Sequence, residues 1–219
     1  IKTAQAVARL RLLTGGVRNA LRLVRLGGNG VDDVARLETL LASPKVASVG
    51  ELETLLSHAK VANAIELDAL LSSGKVQSSA ELQTLLDSQK LATAAELQTL
   101  LSHAKLTSAA ELQGILNSAK VTSAAEVQAV LNSSKMTSAA ELQALLGRAQ
   151  ITSLAEIESL LGHSKLASAA ELDALLGNAK ITSVAELNGL LNEAKISSAA
   201  ELQGLLSDAK ITNVGELRG

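Results

Sequence analysis

The sequence predicts an all-α fold: an elongated α-solenoid of tandem 15-residue repeats, with one short capped helix plus a turn in each. Three observations carry this expectation. A unit such as Lys180 to Ala194, KITSVAELNGLLNEA, recurs from Lys45 almost to the end of the 219-residue chain. Each copy places Ser, Thr or Asn three residues ahead of a Glu, a helix-start pattern. Each also carries apolar residues at helical rather than strictly alternating spacing.

Counted from its Lys, the unit has fifteen positions. Position one is Lys from Lys45 to Lys210 except at Gln150, and position two is apolar from Val46 to Ile211. Position seven is Glu in all twelve copies, Glu51 to Glu216. In the capping-box reading, Ser183 accepts from the N–H of Glu186 while the Glu186 carboxylate returns to the N–H of Ser183. A carboxylate there also suits the positive end of the helix dipole. The helix therefore starts at position five. Its end is expected at position fifteen, with position one as a left-handed C′ residue and position two as C″ packing on position twelve. That gives about eleven helical residues, roughly 16 Å, and a four-residue connection.

Positions five, eight, eleven, twelve and fifteen form the apolar face. Positions six, ten and thirteen are small, and a neighbouring helix is expected to pack closely on them. The copies show no thirty-residue alternation, so each helix is expected to pack on the one before and the one after. A continuous right-handed coiled coil conflicts with caps recurring at every junction, as at Ser183 and Ser198. Treating Ala179 to Thr182 as a short strand gives a β/α solenoid as the alternative.

In chain order, residues 1–29 are basic, degenerate cap helices and 30–219 are the repeat array. The first segment holds Lys2, Arg9, Arg11, Arg18, Arg22 and Arg25 and no acidic residue. Thr3 is expected to cap a helix through Leu13 that ends at Gly15 and Gly16, and a second helix runs from Asn19 to Leu26. These read as decayed units closing the N-terminal end of a solenoid. The other reading is a basic amphipathic surface for an anionic partner. Gly30 to Pro44 is the first recognisable copy, with Gly30 fitting the C′ role, Asp33 as N-cap and Pro44 expected to kink the junction. The array holds the remaining 14 basic and all 22 acidic residues. The chain opens on Ile1 without Met and closes at Gly219 part-way through a repeat, which points to a segment of a longer, C-terminally extended protein.

Composition narrows function. Apolar residues make up 47% and aromatics 0%. The core is therefore aliphatic, and the stacking platforms used for single-stranded nucleic acids are absent. With no Cys, there is no disulfide framework, thiolate nucleophile or thiolate metal site. No apolar run reaches the ~20 residues of a membrane span.

Few residues invite chemistry. His58, His103 and His163 all stand at position fourteen, too many repeats apart to share a metal, and read as solvated helix ends. The Glu row reads as helix capping. The Lys row reads either as a cover for helix C-termini or as a neighbour of Glu in an adjacent copy. Positions thirteen and fourteen vary most, as in Ser57-His58, Asp87-Ser88 and Gly147-Arg148, and read as a solvent-facing edge. A one-unit-per-base nucleic-acid code lacks a basic groove to support it. A Thr row at position three facing a crystalline surface is broken by Ala47, Ala62, Gln77 and Ala92. The run Leu-Leu-x-x-Ala-Lys-Ile-Thr-Ser-x-x-Glu-Leu resembles a helix–hairpin–helix turn, with Lys where such turns have Gly. The resemblance implies helix–turn–helix geometry alone.

The expectation is a non-enzymatic structural repeat protein: a spacer, scaffold or self-associating segment. A protein- or peptide-binding solenoid is the alternative, and a nucleic-acid-binding array a weaker one. A protein partner or self-association is expected, with no catalytic residue, metal, cofactor or small-molecule substrate.

Overall fold

The computed structural model describes residues 2–28 and 31–218. Among them are fourteen α-helices and no strand, so the architecture is the tandem helical one and the β/α alternative is not supported. The expected cap by the Thr3 side chain and the C′ role of Gly30 lie outside the described residues. The helices are α1 (Lys2–Thr14), α2 (Val17–Gly27), α3 (Val31–Ala42), α4 (Val49–Leu56), α5 (Ala64–Leu71), α6 (Ser79–Leu86), α7 (Ala94–Leu101), α8 (Ala109–Asn117), α9 (Ala124–Asn132), α10 (Ala139–Leu146), α11 (Leu154–Leu161), α12 (Ala169–Leu176), α13 (Val184–Asn192) and α14 (Ala199–Ser207). A single 3₁₀ turn, Val214–Leu217, follows.

From α4 onward each helix begins at position five, as the cap pattern requires. Ser48 Oγ accepts from the N–H of Glu51 at 3.2 Å, and Ser183 Oγ accepts from that of Glu186 at 3.2 Å. Asn63 serves the same end through its amide oxygen, 3.0 Å from the N–H of Glu66. The N-terminal helices are longer than expected: α2 begins at Val17 rather than Asn19, and Asp33 falls inside the first turn of α3 rather than at its cap.

The helix end differs from the expectation. From α4 to α14 each helix stops at position twelve or thirteen, after 8 or 9 residues, about 12–14 Å. Among the described residues no non-glycine residue has positive φ, so the left-handed Lys is not formed. The chain leaves by two tight turns instead. The N–H of His58 donates to Leu55 O at 3.2 Å, and that of Val61 to His58 O at 3.0 Å. Pro44 fits this exit without a kink. It occupies the second residue of the Ser43–Val46 turn, closed by Val46 N–H to Ser43 O at 3.2 Å. A fixed φ suits that place, and no N–H is required there.

The chain divides into two units, residues 1–113 and 114–219. In the first, α1 packs on α3, α3 on α5 and α5 on α7, while α2 packs on α4 and α4 on α6. In the second, α9 packs on α11, and α10 on α12 and α12 on α14. For most array helices the chief partner within a unit is therefore the second one along, not the next, whereas α2 packs mainly on its neighbours α1 and α3. Within each unit, odd and even helices form two stacks, and one coil is thirty residues although the sequence repeats every fifteen.

The core lies between the stacks. Positions two, five, eight, eleven and twelve fill it, as in Ile151, Leu154, Ile157, Leu160 and Leu161, each at most 2% exposed. Position fifteen, expected on this face, sits in the exit turn and is exposed, as at Ala59 and Ala149. The small row at positions six, ten and thirteen faces solvent along much of the array, as at Ala80, Thr84 and Asp87. No helix of the described residues is long and apolar enough to cross a membrane.

Candidate functional site

The recurring polar side chains converge on the junctions. Position one sits where the two stacks meet, and its side chain serves one while its backbone serves the other. Lys45 Nζ donates to Leu71 O at 2.6 Å and to Ser73 O at 2.7 Å, at the C-terminal end of α5. The carbonyl of Lys45 accepts from the N–H of Ser79, the first residue of α6, at 3.0 Å. Both are orphan groups of helix termini, which need partners from outside their own helix.

The same bonds recur along both units. Lys60 Nζ donates to Leu86 O at 2.6 Å and also to Ser88 O, and Lys120 Nζ donates to Leu146 O at 2.6 Å. Lys165 Nζ reaches Glu193 O at 2.6 Å, and Lys180 Nζ reaches Asp208 O at 2.8 Å. Lys75 and Lys135 donate to the carbonyls of His103 and His163. Gln150 takes the same place with its amide, Nε2 lying 3.0 Å from Leu176 O and 3.1 Å from Ile181 O. Position one is thus a donor to helix ends. Burial pushes the Lys75 ammonium down from its ordinary pKa, with Glu111 pulling it the other way.

Position fourteen also works in the turn. Ser73 Oγ accepts from the N–H of Lys75 at 3.4 Å, and Asn178 Oδ1 accepts from that of Lys180 at 3.0 Å. The histidines do the same through Nδ1: His58 to Lys60 N–H at 3.2 Å and His163 to Lys165 N–H at 3.3 Å. With Nδ1 accepting, the neutral ring carries its proton on Nε2. That nitrogen lies 3.2 Å from Asp87 Oδ1 in His58 and 3.0 Å from Asn192 Oδ1 in His163. Far from being idle at a helix end, these histidines replace Ser, Asn and Asp as turn acceptors.

The Glu row is engaged too, in a register one residue off the expected box. Glu51 Oε2 accepts from the N–H of Ala47, ahead of the cap residue, at 2.8 Å, and Glu186 Oε2 from that of Thr182 at 2.8 Å. Glu156 accepts from Thr152 at 2.6 Å and more distantly from Ser153 at 3.4 Å. At Glu51, Glu126 and Glu186 such bonds lower the carboxyl pKa. The N–H of Ala47, then the hydroxyl of Ser79, hold Glu51 below the usual range. The Thr122 hydroxyl and N–H do so for Glu126, and those of Thr182 for Glu186. Ser79, a polar residue in the buried position-five row, is satisfied by Glu51 Oε2 at 2.8 Å.

Position nine, which the sequence reading passed over, forms a row of Glu, Asp, Gln or Asn from Glu38 to Gln203. It ties stacked neighbours at the surface: Arg36 pairs with Asp68 at 2.9 Å and Arg148 with Asp173 at 2.8 Å. Its invariably polar character was the available signal. Among the described residues, no group of three or more His, Cys, Asp or Glu is placed to hold a metal ion. Comparison with protein-family models, curated proteins and solved structures finds no match.

Proposed function

We propose that this chain is a non-enzymatic structural repeat protein, serving as a spacer, scaffold or self-associating segment of a larger assembly. One observation carries the reading: recurring polar residues at positions one, four, seven and fourteen are spent on the junctions of the array itself. Position one holds helix C-termini, position seven and its Ser hold helix N-termini, and position fourteen holds the turn. A repeat whose regular chemistry is internal transmits position rather than transforming a substrate. Residues 1–29 close the array as its degenerate cap. A second reading, a protein- or peptide-binding module, draws on the exposed and variable position-thirteen row.

Excision of residues 135–164, one two-helix coil, tests the spacer reading. Spin labels on the exposed Ala125 and Ser207 are expected to move closer by the spacing of stacked helices, about 8–10 Å, with cooperative melting retained. An unchanged separation, or collapse of the fold, would count against a modular spacer. A binding module would instead retain a partner from lysate and lose it when position-thirteen residues are exchanged.

A further inference from the structure

The corner between α1 and α2 leaves aliphatic side chains bare. Leu12 is 86% exposed, Leu13 55%, Val17 44% and Leu21 55%. Among the described residues, they are four of the six large hydrophobic side chains that are exposed. The same helices turn Leu10, Ala20 and Leu23 inward, all fully buried, where α1 meets α3 and α2 meets α4. The exposed set is therefore surplus to the stacking. Gly15, at φ 72°, and Gly16 make the turn, with open space around both. Val17 and Leu21 lie one helical turn apart on α2, beside the exposed Arg18 and Arg25 and beside Arg22, which pairs with Glu53 at 3.6 Å, while Arg9 and Arg11 are exposed on α1. No acidic residue occurs in residues 1–29.

We propose that this corner docks on the surface of an anionic lipid bilayer. Leu12, Leu13, Val17 and Leu21 enter the boundary between headgroups and acyl chains, and the arginines meet the lipid phosphates and carboxylates. A bilayer supplies both halves of what the corner presents, a negative surface and an apolar layer beneath it. A nucleic acid offers the charge without a receptor for four aliphatic side chains. A folded acidic protein would need a pocket for each protruding side chain, whereas lipid accommodates them without one. Snorkelling lets the arginine stems lie along the apolar part while their guanidinium groups stay at the headgroups.

Cosedimentation of the full chain with phosphatidylcholine vesicles, with and without phosphatidylserine, tests this. Binding is expected only to the serine-lipid vesicles and is expected to fall with added salt. Arg18→Gln with Arg25→Gln should weaken it roughly 30-fold at low salt. Leu12→Ser with Leu13→Ser should weaken it at least tenfold while leaving binding to a soluble polyanion, heparin, unchanged. Val17→Thr with Leu21→Gln serves as a second apolar pair. Circular dichroism should show wild-type helicity for all, since every changed residue is exposed. Absence of binding to either vesicle overturns the proposal. So does binding that depends on the arginines but not on the leucines, which identifies an acidic macromolecule. A vesicle-free dimer that the leucine changes dissociate also overturns it, since the corner would then be an interface between copies.

Discussion

A lysine at a helix end is usually read as charge answering a dipole. Gln150 points instead to donated hydrogens, because its neutral amide reaches Leu176 O, the helix-end carbonyl a lysine would serve there, and also Ile181 O beyond the turn. The contrast is measurable at Lys120, whose Nζ serves Leu146 O and Arg148 O. Lys120→Met strands partly buried carbonyls and should cost about 1–3 kcal/mol. Lys120→Gln keeps a donor and should cost less than half as much. Urea melts of both variants check the order, and equal losses would show that charge, not donation, is the useful property. Sequence offered helix C-termini as one of two purposes for the Lys row, but not which termini. The acceptors lie 26 to 28 residues downstream, on backbone atoms that carry no residue signature. Position fourteen was obscured differently: Ser, His, Asn and Asp look like drift until their shared ability to accept a hydrogen bond is placed beside an N–H.

Helices of 8 or 9 residues are too short to persist alone in water. Each depends on the helices stacked against it. The starts were legible, because a side-chain oxygen and a Glu three residues on leave a pattern in the chain itself. The ends were not. Position two is always apolar because it fills the core, as at Ile151 and Leu166, and that same regularity mimicked the apolar contact of a left-handed cap. The small row misled for a related reason. Small residues permit close packing, but they also persist on a solvent face where little selects for bulk. Two substitutions one residue apart separate these roles. Leu145→Ala removes a fully buried side chain and should cost about 2–5 kcal/mol. Ala144→Lys, on the exposed row, should stay within about 0.5 kcal/mol. Thermal and urea denaturation check both, and a large loss for Ala144→Lys would mean that a helix covers that face.

The whole molecule repeats its weak acid bonds many times, so small contributions become a property of the array. Glu51, Glu111, Glu126, Glu186, Glu201 and Glu216 all have carboxyl pKa values held down by donors at the helix starts. A depressed folded-state pKa stabilises the fold above the unfolded value of about 4.3. That contribution is lost as pH falls through the lower folded values. The melting temperature should therefore be flat near neutrality and drop below about pH 4. The drop should shrink in a variant with these residues changed to Gln, and an equal drop in both proteins would assign acid sensitivity to other groups.

The two-stack arrangement also bears on how such a gene changes length. Each unit bonds to its second neighbour, yet odd and even units are built alike. Losing or duplicating the coding sequence for one unit turns every later odd helix into an even one. Each displaced helix then finds the same donors, acceptors and apolar faces in its new stack. Replication slippage or unequal crossing-over in steps of one unit is thus conservative, while an insertion of any other size within the array breaks the phase between turn and helix.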